Sequence, residues 1–137
     1  MADTKRKTLY EDSLFRLVWD EETKVLESTS VRQMSSAELR TTQERMLAFI
    51  REKKVRKYLA DMTLLGNVSA EDILWSETDW FPRCLKAGLK SIAMVMPKAL
   101  AMHVTIDKKA SQSDNKTEYE RRFFKDVESA REWIVKQ

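Results

Sequence analysis

The segment Met34-Ser-Ser-Ala-Glu-Leu39 constrains this chain most, because it specifies a helix start in two independent ways. Ser35 and Glu38 have the spacing of a capping box, in which each side chain satisfies the other residue's free backbone N–H, and Met34 and Leu39 have that of a hydrophobic staple. Leu39, Met46, Leu47 and Ile50 then share one face, and Arg51, Lys53 and Lys54 complement the negative helix end. The segment predicts an amphipathic helix of about five turns.

Strand patterns lie on both sides of it. Leu14 to Trp19 and Lys24 to Val31 alternate apolar and polar residues around Asp20-Glu-Glu-Thr23, which predicts a hairpin of open turn type. Tyr58-Leu-Ala-Asp61 is too short for a helix and predicts a buried strand that ends on an acid. Val68 to Ile73 repeats the helix-start logic, with Ser69 as N-cap, Asp72 in the box position and Val68 stapled to Ile73. Asp79 reads as a further N-cap ahead of Pro82, so two short helices are expected, with a joint near Glu77 to Asp79 and an end at Gly88. Ile92 to Met96 suits a strand covered on both faces and closed by Pro97.

Lys98 to Lys109 alternates like a strand at Leu100, Met102, Val104 and Ile106, yet its composition also suits a helix, and periodicity does not decide. Ala110 to Lys116 reads as a polar connector, and Thr117 to Phe124 as a strand in which Tyr119 and Phe123 alternate with charge. Asp126 caps a last helix with the face Val127, Ala130, Trp133 and Ile134. Helices alternating with short apolar strands imply an α/β fold with a mainly parallel sheet, to which the opening hairpin adds an antiparallel edge. Residues 1–13 read as a polar tail or short edge strand, and 14–137 as a single domain, the size that 137 residues support.

Counting removes whole classes of chemistry. One histidine (His103) and one cysteine (Cys84) leave no four-cysteine, three-histidine or HExxH metal set within one chain. With only Gly66 and Gly88, there is neither a GxGxxG turn nor a Walker A loop to cradle phosphate. No catalytic, metal-binding or cofactor-binding residue is therefore assigned, and no cofactor is expected. A lone cysteine suits a reducing compartment, and no secretory signal or run of about 18 apolar residues is present, so a cytoplasmic protein without a transmembrane segment is expected. The 25 basic and 22 acidic residues nearly balance at +3, which disfavours a dedicated nucleic-acid binder.

The element order, with Leu59-Ala-Asp61 ending a strand, Glu71-Asp72-Ile-Leu-Trp75 in the next helix, Pro82 to Gly88 leading into Ile92-Ala-Met-Val, and Phe124-Lys-Asp126 with Ala130 and Trp133 at the end, resembles the STAS/SEC14-like, or SpoIIAA-like, group of small bacterial proteins. The likeness runs from about residue 14 onward and rests on structural positions. It implies a sheet of four to five strands with helices packed on it, and a helix for Lys98 to Lys109. It also implies a protein-binding role, with a small apolar ligand by analogy to Sec14-like folds. The broader STAS family carries a phosphorylated serine at a helix start in an Asp-Ser-Ser-Gly-like motif. Here Gly66-Asn-Val-Ser-Ala-Glu-Asp72 keeps Ser69 at the cap and lacks the preceding Asp and the following Gly.

Trp75, Trp80 and Phe81 flank the expected helix joint, and with Asp61 and Ser69 they form the candidate interface or ligand-contact set. Aromatics at this spacing ordinarily fill core; a hinged helix pair over a sheet also makes an apolar pocket or a dimer surface. The reading is a non-enzymatic binding or regulatory module that meets a protein partner or a second copy of itself. Two alternatives stand beside it. Asp61, Glu71 and Asp72 converging at the carboxyl end of the sheet would supply acid-base chemistry, against ordinary cap and turn acids. Arg51, Lys53, Lys54, Arg56 and Lys57, with Lys5-Arg-Lys7, would touch nucleic acid or an anionic membrane, against an ordinary solvated helix end.

Overall fold

The computed structural model describes residues 5–97, 109–111 and 119–137. Three strands, β1 (Arg6–Glu11), β2 (Phe15–Asp20) and β3 (Val25–Ser30), form an antiparallel meander, so the segment ahead of residue 14 supplies an edge strand. The β2–β3 turn works without Asn-Gly. The Asp20 carboxylate accepts the N–H groups of Glu22 and Thr23 at 2.9 and 3.2 Å, and Lys24 takes the left-handed conformation at φ 62°.

Helix α1 (Ser36–Lys53) starts on the expected capping box, with Glu38 N–H donating to Ser35 Oγ at 3.2 Å and Ser35 N–H donating to Glu38 Oε1 at 2.9 Å. It leads into β4 (Lys57–Asp61), which pairs parallel with β3. Helix α2 (Ala70–Trp75) starts at Ser69, whose hydroxyl accepts Asp72 N–H at 3.1 Å.

The expected joint near Glu77 to Asp79 does not exist. Residues Ser76–Trp80 continue as a π-helical turn straight into α3 (Phe81–Lys86), and Asp79 caps nothing; its carboxylate lies 3.4 Å from Arg83 Nε. Phe81 N–H reaches back five residues to Ser76 O. The wider turn loosens the bonding frame where Pro82 lacks an N–H and its ring would crowd the carbonyl four residues back, so the proline is absorbed without a break.

Strand β5 (Ser91–Val95) pairs parallel with β4, and β7 (Glu120–Phe124) pairs parallel with β5. Strand β6 (Lys109–Ser111) pairs antiparallel with β7, so the start of the expected polar connector is instead a sheet edge. Helix α4 (Val127–Val135) closes the described chain and is capped by Asp126 Oδ1, which accepts Ser129 N–H at 2.7 Å. The helix expected over 98–109 falls outside the described residues, apart from Lys109, which opens β6.

Among the described residues the sheet thus has seven strands in the order β1-β2-β3-β4-β5-β7-β6, not four or five. It is mixed rather than mainly parallel, with three parallel pairs inside and antiparallel pairs toward both edges. The α/β class and the antiparallel opening hairpin are as expected.

Strand alternation gives each face of the sheet its own core. Leu26, Tyr58 and Ile92 stand in one row and pack with Met46, Leu47 and Ile50 of α1 and with Trp80, Phe81 and Cys84. Val25, Leu59, Ala93, Val95 and Phe124 project to the other face, where Ala130 and Ile134 of α4 cover them.

Candidate functional site

The strand row that supplies the first core does not end at Ile92. Arg121 of β7 is the register partner of Ile92, and Phe123 that of Met94, so both project onto the face that α1, α2 and α3 cover. Between that face and the helices lies a cavity of about 350 Å³. Tyr58, Ile92, Met94 and Phe123 form its floor, Trp80 and Phe81 one wall, and Met62, Met96 and Pro97 the side at the carboxyl ends of β4 and β5. Ligands usually lie beyond the carboxyl ends of strands in open α/β sheets.

The lining is almost wholly apolar, so its few polar groups stand out. The Tyr58 hydroxyl is shared with Ser28 Oγ at 2.8 Å and lies 2.9 Å from Met46 Sδ. Burial pushes its pKa far above the ordinary phenol value. Trp80 Nε1 donates to the backbone carbonyl of Gln43 at 2.6 Å, which ties the π-helical turn to α1. The Gln43 side chain donates from Nε2 to Ser76 Oγ at 2.6 Å, and its Oε1 is buried without a hydrogen-bond partner.

Arg121 uses its two terminal nitrogens on Glu77, at 3.0 Å each, and lays its guanidinium 4.5 Å from the Phe81 ring centroid and 5.5 Å from that of Phe123. Its Nε is buried and unpartnered. Neither Gln43 nor Arg121 was singled out from sequence, although both were readable. Gln43 lies four residues from Leu39 and from Leu47, inside the apolar stripe, and Arg121 shares the parity of Tyr119 and Phe123.

Of the residues singled out, Trp80 and Phe81 line the cavity and are buried. Trp75 lies outside the lining, half-buried, with the Arg40 guanidinium 4.8 Å from its ring. Ser69 is exposed and serves as a cap. Asp61 faces the other way. Its strand alternates so that Leu59 packs with α4, and Asp61 follows that parity while accepting Thr63 N–H at 3.1 Å and Thr63 Oγ–H at 2.6 Å.

The geometry therefore does not bring Asp61, Glu71 and Asp72 together. Glu71 is exposed, and Asp72 is buried against the α1 start, accepting from Ser36 Oγ at 2.5 Å and Arg40 Nε at 3.1 Å. The Ser36 hydrogen bond is the main reason its carboxyl sits below the usual aspartate range.

The basic cluster lies at the opposite end of the sheet. Lys53, Lys54, Arg56 and Lys57 border a broad open depression that Lys24 and Lys90, distant in sequence, also line, together with Glu21, Glu22 and Glu52. Arg6 does not join it and instead lies 4.0 Å from Asp20 and 3.7 Å from Glu27.

Cys84 is fully buried, and burial raises its thiol pKa to about 12; His103 is outside the described residues. Among the described residues, no three of His, Cys, Asp and Glu gather closely enough to hold a metal ion, and no helix is long and apolar enough to cross a membrane. In comparisons with protein-family models, curated proteins and solved structures, nothing matches the chain.

Proposed function

We propose that this chain is a non-enzymatic binding module of STAS/SEC14-like design that takes a small apolar ligand into the cavity beneath α2 and α3. The observation that carries the reading is the cavity itself, about 350 Å³, lined by methionine, aromatic and aliphatic side chains and placed at the carboxyl ends of β4 and β5. That volume lies at the lower end of the range of about 300–1,000 Å³ typical of small-molecule sites, and methionine linings adapt to ligand shape.

A link to a protein partner or a second copy comes from α2. Ile73 lines the cavity yet is 46% exposed, and its neighbour Leu74 is 62% exposed, so an occupant would abut the same helix that offers apolar surface outward. The test is uptake of the neutral dye Nile red by the purified chain, followed by its emission shift. One-to-one uptake that is lost in Met94→Trp, which fills the cavity, supports the reading. No uptake, or uptake that Met94→Trp leaves unchanged, sinks it.

A second reading, contact with an anionic surface, is favoured by the recruitment of Lys24 and Lys90 to the basic depression. Retention on heparin that falls steeply with salt and is lost in Lys53→Glu/Lys54→Glu supports it, and retention insensitive to either removes it.

A further inference from the structure

Resting on the cavity reading above, we propose that the ligand is an uncharged amphiphile, an apolar body carrying a hydroxyl, carbonyl or amide group, and that carboxylates are rejected. The body follows from the lining. The polar group follows from two buried atoms, Gln43 Oε1 and Arg121 Nε, that the protein leaves without a partner on side chains lining that cavity.

Gln43 is only 9% exposed; its Nε2 donates to Ser76 and its Oε1 is unpartnered. The unpartnered atom is the carbonyl oxygen Oε1, an acceptor, so a hydroxyl or amide N–H on the ligand is the group that pairs with it. The Arg121 side chain is 12% exposed, and its Nε–H is aligned with no acceptor while both terminal nitrogens are held by Glu77. A buried donor without an acceptor is costly, and a ligand oxygen that reaches it recovers the loss.

Charge decides against an acid. Among the described residues, the carboxylates and the guanidinium that line the cavity are Asp72, Glu77 and Arg121, two negative and one positive, for a sum of −1. Arg121 is already matched by Glu77 in a two-bond pair, and Arg40, from outside the lining, only balances Asp72. Among the described residues no positive charge is left over for a ligand carboxylate, whose desolvation would then go uncompensated.

The test is competition against Nile red on the full chain, with decan-1-ol, decanamide and decanoate as probes at neutral pH. Decanol and decanamide are expected to displace the dye at least about tenfold more tightly than decanoate. Equal or tighter displacement by decanoate overturns the inference, and so does displacement by none of the three while the dye still binds; both leave the cavity reading standing. Failure of the dye itself to bind removes that reading, and the inference with it.

Gln43→Leu, which deletes the amide at similar volume, is expected to weaken decanamide about tenfold, and Arg121→Lys, which lacks Nε, to do the same. A circular dichroism melt identifies any variant that fails to fold. Unchanged decanamide affinity in both folded variants overturns the assignment of these two groups.

Discussion

Arg131 of α4 forks onto the carboxylate of Glu27 on β3, with Nε 3.1 Å from Oε1 and Nη2 2.7 Å from Oε2, joining residues 104 apart in sequence. Glu27 is 5% exposed, whereas the Arg131 side chain is 46% exposed, so the two partners differ in what they lose when the pair is broken. Arg131→Met leaves a carboxylate inside, with Arg6 at 3.7 Å as its remaining cation. Glu27→Leu leaves two arginines that can turn to water. Urea denaturation is expected to show a loss of about 2 kcal/mol for Arg131→Met and a clearly smaller one for Glu27→Leu. Equal losses would contradict this asymmetry.

Asp72 sets an acid limit on stability. Its folded-state carboxyl lies below the ordinary value of 3.8, chiefly through the Ser36 hydroxyl, opposed by burial and aided by Ser69 and Arg40. A depressed folded-state pKa stabilises the fold at pH above the unfolded value, and that contribution is lost as pH falls through the folded value. The stability gap between wild type and Asp72→Asn should therefore stay flat from neutral pH to about pH 5 and close at pH below 3.8. A gap unchanged at the lowest accessible pH would show that the ionised form of Asp72 does not matter.

The Cys84 thiol should be chemically silent in the native state. Burial raises its pKa to about 12, and the thiolate is the reactive form. An aromatic disulfide reagent at about pH 8 is expected to label the chain only after denaturant is added. Stoichiometric labelling within minutes under native conditions would place the thiol nearer solvent than the fold has it.

Trp80 holds the π-helical turn against α1 by bulk and by one hydrogen bond, Nε1 to Gln43 O at 2.6 Å. Trp80→Phe keeps most of the ring and loses the bond, for an expected loss of about 1–2 kcal/mol, partly by stranding a buried carbonyl. Trp80→Ala adds a void beside an existing cavity, for about 3–5 kcal/mol. Matching effects of the two substitutions in urea melts would mean that the hydrogen bond, not the ring, carries the contribution.

The parts of the fold readable in advance were those specified by neighbours in sequence. Ser35 with Glu38, Ser69 with Asp72 N–H, and Asp126 with Ser129 N–H are bonds across three residues, so a helix start is written where it occurs. Short strands such as Tyr58 to Asp61 were legible because few other structures bury so brief an apolar run. The hydrogen-bond frame was not legible between Ser76 and Trp80, where Pro82 signals a break. A π-helical turn that repositions one set of carbonyls avoids the break at a cost that only the packed surroundings of Trp80 and Phe81 can offset.

Sequence alone therefore determined the class of fold, the helix starts at Ser35, Ser69 and Asp126, and the antiparallel hairpin of β2 and β3, because capping and alternation are local physics. Tertiary structure decided which face of the sheet each strand residue meets. A strand sends successive side chains to opposite faces, so Asp61 went to the α4 side, away from Asp72, while Arg121 came into line with Tyr58 and Ile92 beneath the helices. Strand order and register place those side chains beside one another, and pairing between distant segments is not encoded in any one of them.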